Sequence, residues 1–292
     1  MGNIATNFGD QIKRLEDRGM QIDCEKEKIK EILLDIGYYR LGFYWNPFEK
    51  NRNHDFKEGT KFSDAVTLYY LDVDLRNILL KCLNRIEINF RTKLVYYVSN
   101  VHKTSPNWFI DPKVIHTDFI NSIEQHYNED FIKNNKTIKL HHKKYINDKY
   151  APAWKTLEFF TFGAILKVFK SLNDSVLQER IANLYGIKNL QKFINLMETI
   201  VYVRNVCAHG GVLFDLKLPK SISAIPDINF NSQNRCSLDD SIKVVLFILS
   251  KISDNRKNDI EKQLDDLFLK HFDNEIIKDI IEREIGYKKI GK

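Results

Sequence analysis

Proline and glycine are scarce in this 292-residue chain, with 6 and 12 copies. Strict apolar–polar alternation over a strand's length is also missing, whereas helical periodicity recurs throughout, so the expected fold class is all-α. Cysteine is rarer still. Cys24, Cys82, Cys207 and Cys236 form no Cys-x-x-Cys pair, which speaks against a zinc site or a disulfide framework and fits a reducing cytoplasm. No apolar run reaches membrane-spanning length and no cleavable leader is read; VVLFIL at 244–249 is far too short. Gly2 with Thr6 fits a short N-terminal acylation pattern that nothing else in the sequence supports. Charge of one sign is also lacking. Lys+Arg number 45 against 39 Asp+Glu, a net of +6, which permits an anionic partner such as RNA without demanding one.

Hydrophobic residues make up 43% of the chain, enough for one sizeable core. We read residues 1–292 as a single all-α unit without repeats or low-complexity segments. A helix is expected over 10–36, with Ile29, Ile32, Leu33 and Ile36 on one face and Gly37 at its end. YYRLGFYWNPF (38–48) reads as an aromatic corner against the core. The clearest helix covers 62–100, where Leu75, Leu79, Cys82, Ile86, Phe90 and Tyr97 follow spacings of three and four, with one slot at Lys93/Leu94. Its other side carries Arg76, Arg85, Glu87 and Arg91. Glu87 and Arg91, four apart, suit an ion pair; the three arginines also suit a surface facing RNA.

Residues 101–150 are irregular and basic. Lys139, His141, His142, Lys143 and Lys144, with Tyr145 nearby, read either as a solvated face or as an RNA contact through phosphate pairing and base stacking. The adjacent His141 and His142 would point apart on a helix, so a shared metal ion is not expected. One apolar helix is expected over 152–172, with Gly163 marking close approach of another helix. A further helix covers 189–209, a Pro-containing loop 210–236, and two helices follow at 237–253 and 256–285.

The chemistry concentrates at VYVRNVCAHGG (201–211). Ile194, Met197 and Val201 trace an apolar face whose continuation meets Arg204 and Asn205. A buried charge is costly unless paired. Gly210 and Gly211 stop the helix, leaving His209 in or just after the last turn. Positions five apart lie about 140° around a helix, so only a turned end brings His209 toward Arg204. Imidazole can take a proton from a 2′-hydroxyl or give one to a leaving 5′-oxygen, and guanidinium can grip a phosphate in two-point fashion; Asn205 can orient either. No metal or other cofactor is needed for that chemistry. One imidazole can scarcely be acid and base at once, which points to a second copy from a partner subunit. Alternatively, Arg204 is a structural arginine paired with Glu198 or another acid, and His209 merely caps the helix.

Four ordered blocks, IGYYRLGFYWNPF (36–48), LYYLDVDLRNILLKCLNRIEINFRTKL (68–94), PAWKTLEFFTFG (152–163) and VRNVCAHGGVLF (203–214), together resemble the Abi-like (abortive infection, AbiD/AbiF) family of bacterial defence proteins, within the HEPN superfamily of helical ribonucleases. They span about residues 30–215. The resemblance implies a HEPN-like helical bundle with additional helices and a cytoplasmic, metal-independent endoribonuclease acting as a toxin or phage-defence effector. It implies Arg204 and His209 as the catalytic pair beside Asn205, a homodimer that faces two motifs, and a small structured RNA as antitoxin; Glu87 and Arg76 on the central helix read either as support for the motif or RNA contacts, or as a structural ion pair. A non-catalytic RNA-binding protein of the same fold is the second expectation.

Overall fold

The computed structural model describes residues 4–287, so Gly2 of the acylation pattern lies outside them. Fourteen α-helices and no β-strand occur among the described residues. The first three are α1 (Phe8–Asp17), α2 (Lys26–Asp35) and α3 (Tyr38–Trp45), followed by the long α4 (Phe62–Val101). Short helices come next: α5 (Thr117–Asn121), α6 (Glu129–Asn134), α7 (Lys136–Lys144) and α8 (Ala153–Thr156). Then follow α9 (Phe162–Lys170), α10 (Ser175–Asn183) and α11 (Leu190–Ala208). After a long connection, α12 (Leu238–Ser250), α13 (Asp254–Leu269) and α14 (Glu275–Ile280) complete the order, the last running on as a π-turn at Ile281–Ile285.

The axis of the fold is α4. Its 40 residues make a rod of about 60 Å, and α3, α8, α9, α10, α11, α12 and α13 all pack against it. The expected stripe is buried from Leu75 to Phe90, while Tyr97 at its end is only partly covered. Phe90 is the hub of an aromatic cluster, with the rings of Phe162, Phe169, Tyr185 and Phe193 centred 5.5–6.4 Å away. Burial of each such ring stabilises the fold by about 1.5–3 kcal/mol.

Polar side chains set where helices begin. Asn7, Asn128, Thr161, Asp174, Asn189, Ser237, Ser253 and Asn274 each accept from a backbone N–H of the first turn they precede. Three breaks correct the sequence reading. The helix expected over 256–285 stops at Leu269 and restarts at Glu275 behind the Asn274 cap. The helix expected over 10–36 is two helices, because the chain turns at Gly19, whose φ is +91°. The helix expected over 152–172 is also divided: Phe160 is extended and Thr161 caps a new start. Gly163 does face a neighbouring helix, since a Cβ there would meet Val201 of α11 at 3.8 Å. The connection 209–237 is tied down rather than splayed. Leu213, Phe214 and Ile222 are buried, and the Asn195 amide clamps the strandless chain at Ser221 and Ser223.

Candidate active site

The apolar stripe of α11 is not interrupted by its arginine. The buried positions are Phe193, Leu196, Met197, Ile200, Val203 and Cys207, while Ile194 and Val201 are only partly covered. The core face therefore lies one position away from the register expected, and Arg204 sits on its flank with a side chain 23% exposed. Asn205 and His209 are exposed.

Arg204 reaches back to α4. Its Nε donates to Glu87 Oε2 at 3.1 Å, its Nη2 lies 3.1 Å from the same oxygen, and its Nη1 donates to Asn205 Oδ1 at 3.2 Å. A guanidinium has five N–H groups; two make these hydrogen bonds, and Nη2 meets Glu87 as an ion pair. Glu198, the acid first considered for Arg204, instead pairs with Lys170 and Lys220, and those lysines hold its carboxyl below the usual range against the opposing effect of burial. Glu87 is shared. Its Oε1 accepts from Arg91 Nη2 at 2.8 Å, and that nitrogen also donates to the Phe160 carbonyl at 3.0 Å. Arg91 Nη1 also lies 3.8 Å from the exposed Glu158 carboxylate, so the two guanidiniums are matched by two carboxylates.

A second acid–base pair on α4, one turn apart like the first, holds the chain beyond His209. Asp72 and Arg76 are buried and bonded to each other. Arg76 Nη1 donates to the Gly211 carbonyl at 2.8 Å, and Asp72 Oδ1 accepts from the N–H groups of Leu213 and Phe214 at 3.0 and 2.8 Å. The Tyr44 hydroxyl donates to Asp72 at 2.9 Å. Burial pushes the Asp72 carboxyl above its ordinary value, and Arg76, Tyr44 and the two backbone donors pull it back. Arg40, on α3 with Tyr44, donates to the Gly210 carbonyl.

Between these anchors the helix ends in a Schellman turn. Gly211 N–H bonds the Val206 carbonyl at 2.7 Å and Gly210 N–H the Cys207 carbonyl at 3.3 Å, with Gly210 left-handed at φ +66°. His209 is the capping residue. The turn presents its imidazole to solvent rather than folding it over the helix. Cys207, although inside the motif, is buried, and its thiol is pushed up to about 12; it is a packing residue, not a nucleophile.

Other expectations fall elsewhere. The notion of three arginines on one outward face is corrected: Arg76 and Arg91 are buried with their carboxylates, and Glu87 is buried between two arginines, because each binds a backbone or side-chain group from a distant segment. Arg85 remains exposed. Lys139, Lys143 and Lys144 project from α7 into solvent, but His141 is buried against Asp148, and His142 accepts or donates at the Tyr127 hydroxyl. Among the described residues no three His, Cys, Asp or Glu side chains converge as a metal site would need, and no helix is long and apolar enough to cross a membrane. Three anchoring residues, Arg40, Tyr44 and Asp72, have no individual role in the sequence reading; their signals are their places in the blocks 36–48 and 68–94 and the i,i+4 spacing of Asp72 and Arg76.

The architecture defines an all-α protein whose Arg-Asn-x-x-x-His segment and the turn after it are held by residues of α3 and α4. Comparison with protein families identifies it further: the model of the Abi-like protein family matches residues 31–215, and the chain belongs to that family. No curated protein and no solved structure matches.

Proposed function

We propose that the chain is a metal-independent endoribonuclease of HEPN type, acting as an RNA-cleaving abortive-infection effector. The observation that carries this reading is the disposition of the motif. An arginine with open N–H groups and an exposed imidazole stand at one helix end, and Arg40, Arg76 and Glu87, from two segments distant in sequence, hold the arginine and the turn there.

In the reaction, the 2′-oxygen of the substrate attacks the adjacent phosphorus and the bond to the 5′-oxygen breaks. One imidazole takes the 2′-hydroxyl proton; a second delivers a proton to the leaving oxygen. The products are a 2′,3′-cyclic phosphate and a 5′-hydroxyl. Arg204 holds the phosphate with its open N–H groups while Glu87 keeps the guanidinium in place. Asn205 holds Nη1 through its carbonyl and offers its amide N–H groups to the substrate. Each chain carries one such motif, so the second imidazole comes from a second copy in a homodimer. The exposed Lys139, Lys143, Lys144 and Arg85 are the phosphate contacts outside the motif in this reading, and a small structured RNA in the cytoplasm is its regulator.

The Arg204–Glu87 ion pair favours one rival: an RNA-binding protein in which Arg204 serves the fold. End-group analysis of RNA incubated with the protein in EDTA separates the two. Cyclic-phosphate ends from the wild type, absent with His209→Ala, are expected for the nuclease. His209 is exposed, so its loss should change stability by less than about 0.5 kcal/mol. RNA bound equally by both proteins and cut by neither would establish the binder.

A further inference from the structure

A cleft of about 620 Å³ opens on the side of α3 away from the motif, between α1 and the chain at 46–54. Its size is that of a small-molecule site, and its wall is aromatic. Tyr39 is 82% exposed and Phe43 38%; their rings meet edge to face, 5.4 Å apart at 78°. Large apolar rings left in solvent within a concavity mark a contact surface rather than a core. The charges of the cleft point the same way. Glu49, its one carboxylate, is already bound by Arg18 and by His54 at 2.7 Å. Arg14 lines the same cleft, is exposed, and has no carboxylate partner among the described residues. The Asn46 and Asn53 amides sit at the rim, both exposed. Flat rings, an uncompensated guanidinium and free amides answer the three parts of a nucleotide: base face, phosphate and base edge.

We infer that the cleft between α1 and α3 is a nucleotide-binding site, with the base stacked on Tyr39 against Phe43 and the phosphate paired with Arg14. The nucleotide is either one unit of a single-stranded RNA or a free mononucleotide. The site is separate from the Arg204–His209 motif but shares α3 with it. Tyr39 and Phe43 face the cleft, whereas Arg40 and Tyr44 face inward and hold the turn after His209. The inference does not depend on cleavage.

The test measures binding to the full chain carrying His209→Ala, which leaves the probe uncut. A fluorescein-labelled single-stranded RNA hexamer is titrated by anisotropy, and AMP and UMP by calorimetry. Tyr39→Ala and Arg14→Ala remove exposed side chains. Gly42→Leu fills the cleft instead: a Cβ there would touch only Trp45, at 3.7 Å, and the backbone is unstrained. Each variant should weaken binding about tenfold with an unchanged melting temperature. Mononucleotides that bind with this dependence identify a free nucleotide as ligand; the hexamer alone doing so identifies an RNA strand. No binding of either probe, or binding indifferent to all three substitutions, overturns the site. Cleavage lost with cleft binding intact would count against the nuclease alone, and the converse against the cleft alone.

Discussion

Gly211 shows how much geometry one absent side chain can fix. A Cβ built there would lie 2.7 Å from Val206 Cγ1 and 3.2 Å from the Val206 carbonyl oxygen, the acceptor of Gly211's own N–H. Gly211→Ala must therefore open the Schellman turn, loosening the bond from Arg76 to the Gly211 carbonyl. The expected cost is about 1–3 kcal/mol in a denaturant melt, with RNA cleavage falling further than stability, because His209 loses its fixed exit from the helix. Gly210→Ala strains only the left-handed backbone, at about 1–2 kcal/mol. A Gly211→Ala protein as stable and active as the wild type would show that the turn does not set the motif.

Among the elements, α4 does two jobs at once: its apolar stripe builds the core, and two acid–base pairs on it grip both sides of the motif. Removing one member of a buried pair leaves the others charged and unpaired. Glu87→Ala takes the shared carboxylate from Arg91 and Arg204, leaving Arg91 only the exposed carboxylate of Glu158, and should destabilise by about 3 kcal/mol, read as a lower urea midpoint with unchanged slope. Arg204→Ala leaves Glu87 still bound to Arg91 and should cost clearly less. Equal costs would mean that the two arginines are not sharing one carboxylate as described. The stripe of α4 was legible in the sequence because three-four spacing over many turns allows one solution. The inward turn of Arg76, Glu87 and Arg91 was not, since their partners Gly211, Phe160 and Arg204 lie 69 to 135 positions away. The face of α11 was misread by one position for a related reason. Ile200 and Val201 are both apolar, and only packing decides that Ile200 is the buried one. The helix ends at Gly210–Gly211 were readable because glycine pairs state a local requirement; the division at Thr161 was not, because the apolar pattern runs on across it.

For the molecule as a whole, acid is the first stress to test. Burial holds the imidazoles of His126, His141 and His271 below their ordinary value, with Lys167 adding to the effect at His126 and Asp148 opposing it at His141. His126 is packed against Phe119 and Phe160. Their unfolded forms take up protons near pH 6.5, while the folded forms resist. The unfolded chain therefore binds more protons as pH falls from about 6.5 through the lowered folded values, and stability drops across that window. Urea midpoints should be lower at pH 5.5 than at pH 7.5, and the gap should narrow in His126→Gln; an unchanged gap would exclude that residue as a source. Assembly is tested by arithmetic rather than by pH. Suppose cleavage needs an acid from one copy and a base from the other. Wild type co-expressed with an equal amount of His209→Ala then forms both homodimers and a mixed dimer with a single imidazole, which is inactive. Total activity should fall to about a quarter of that of the same number of wild-type chains, the square of the wild-type fraction. A site complete within one chain would retain about a half. Measured across several mixing ratios, the curve is quadratic for the shared site and linear for the self-contained one, and a linear curve would remove the need for a partner in the reaction.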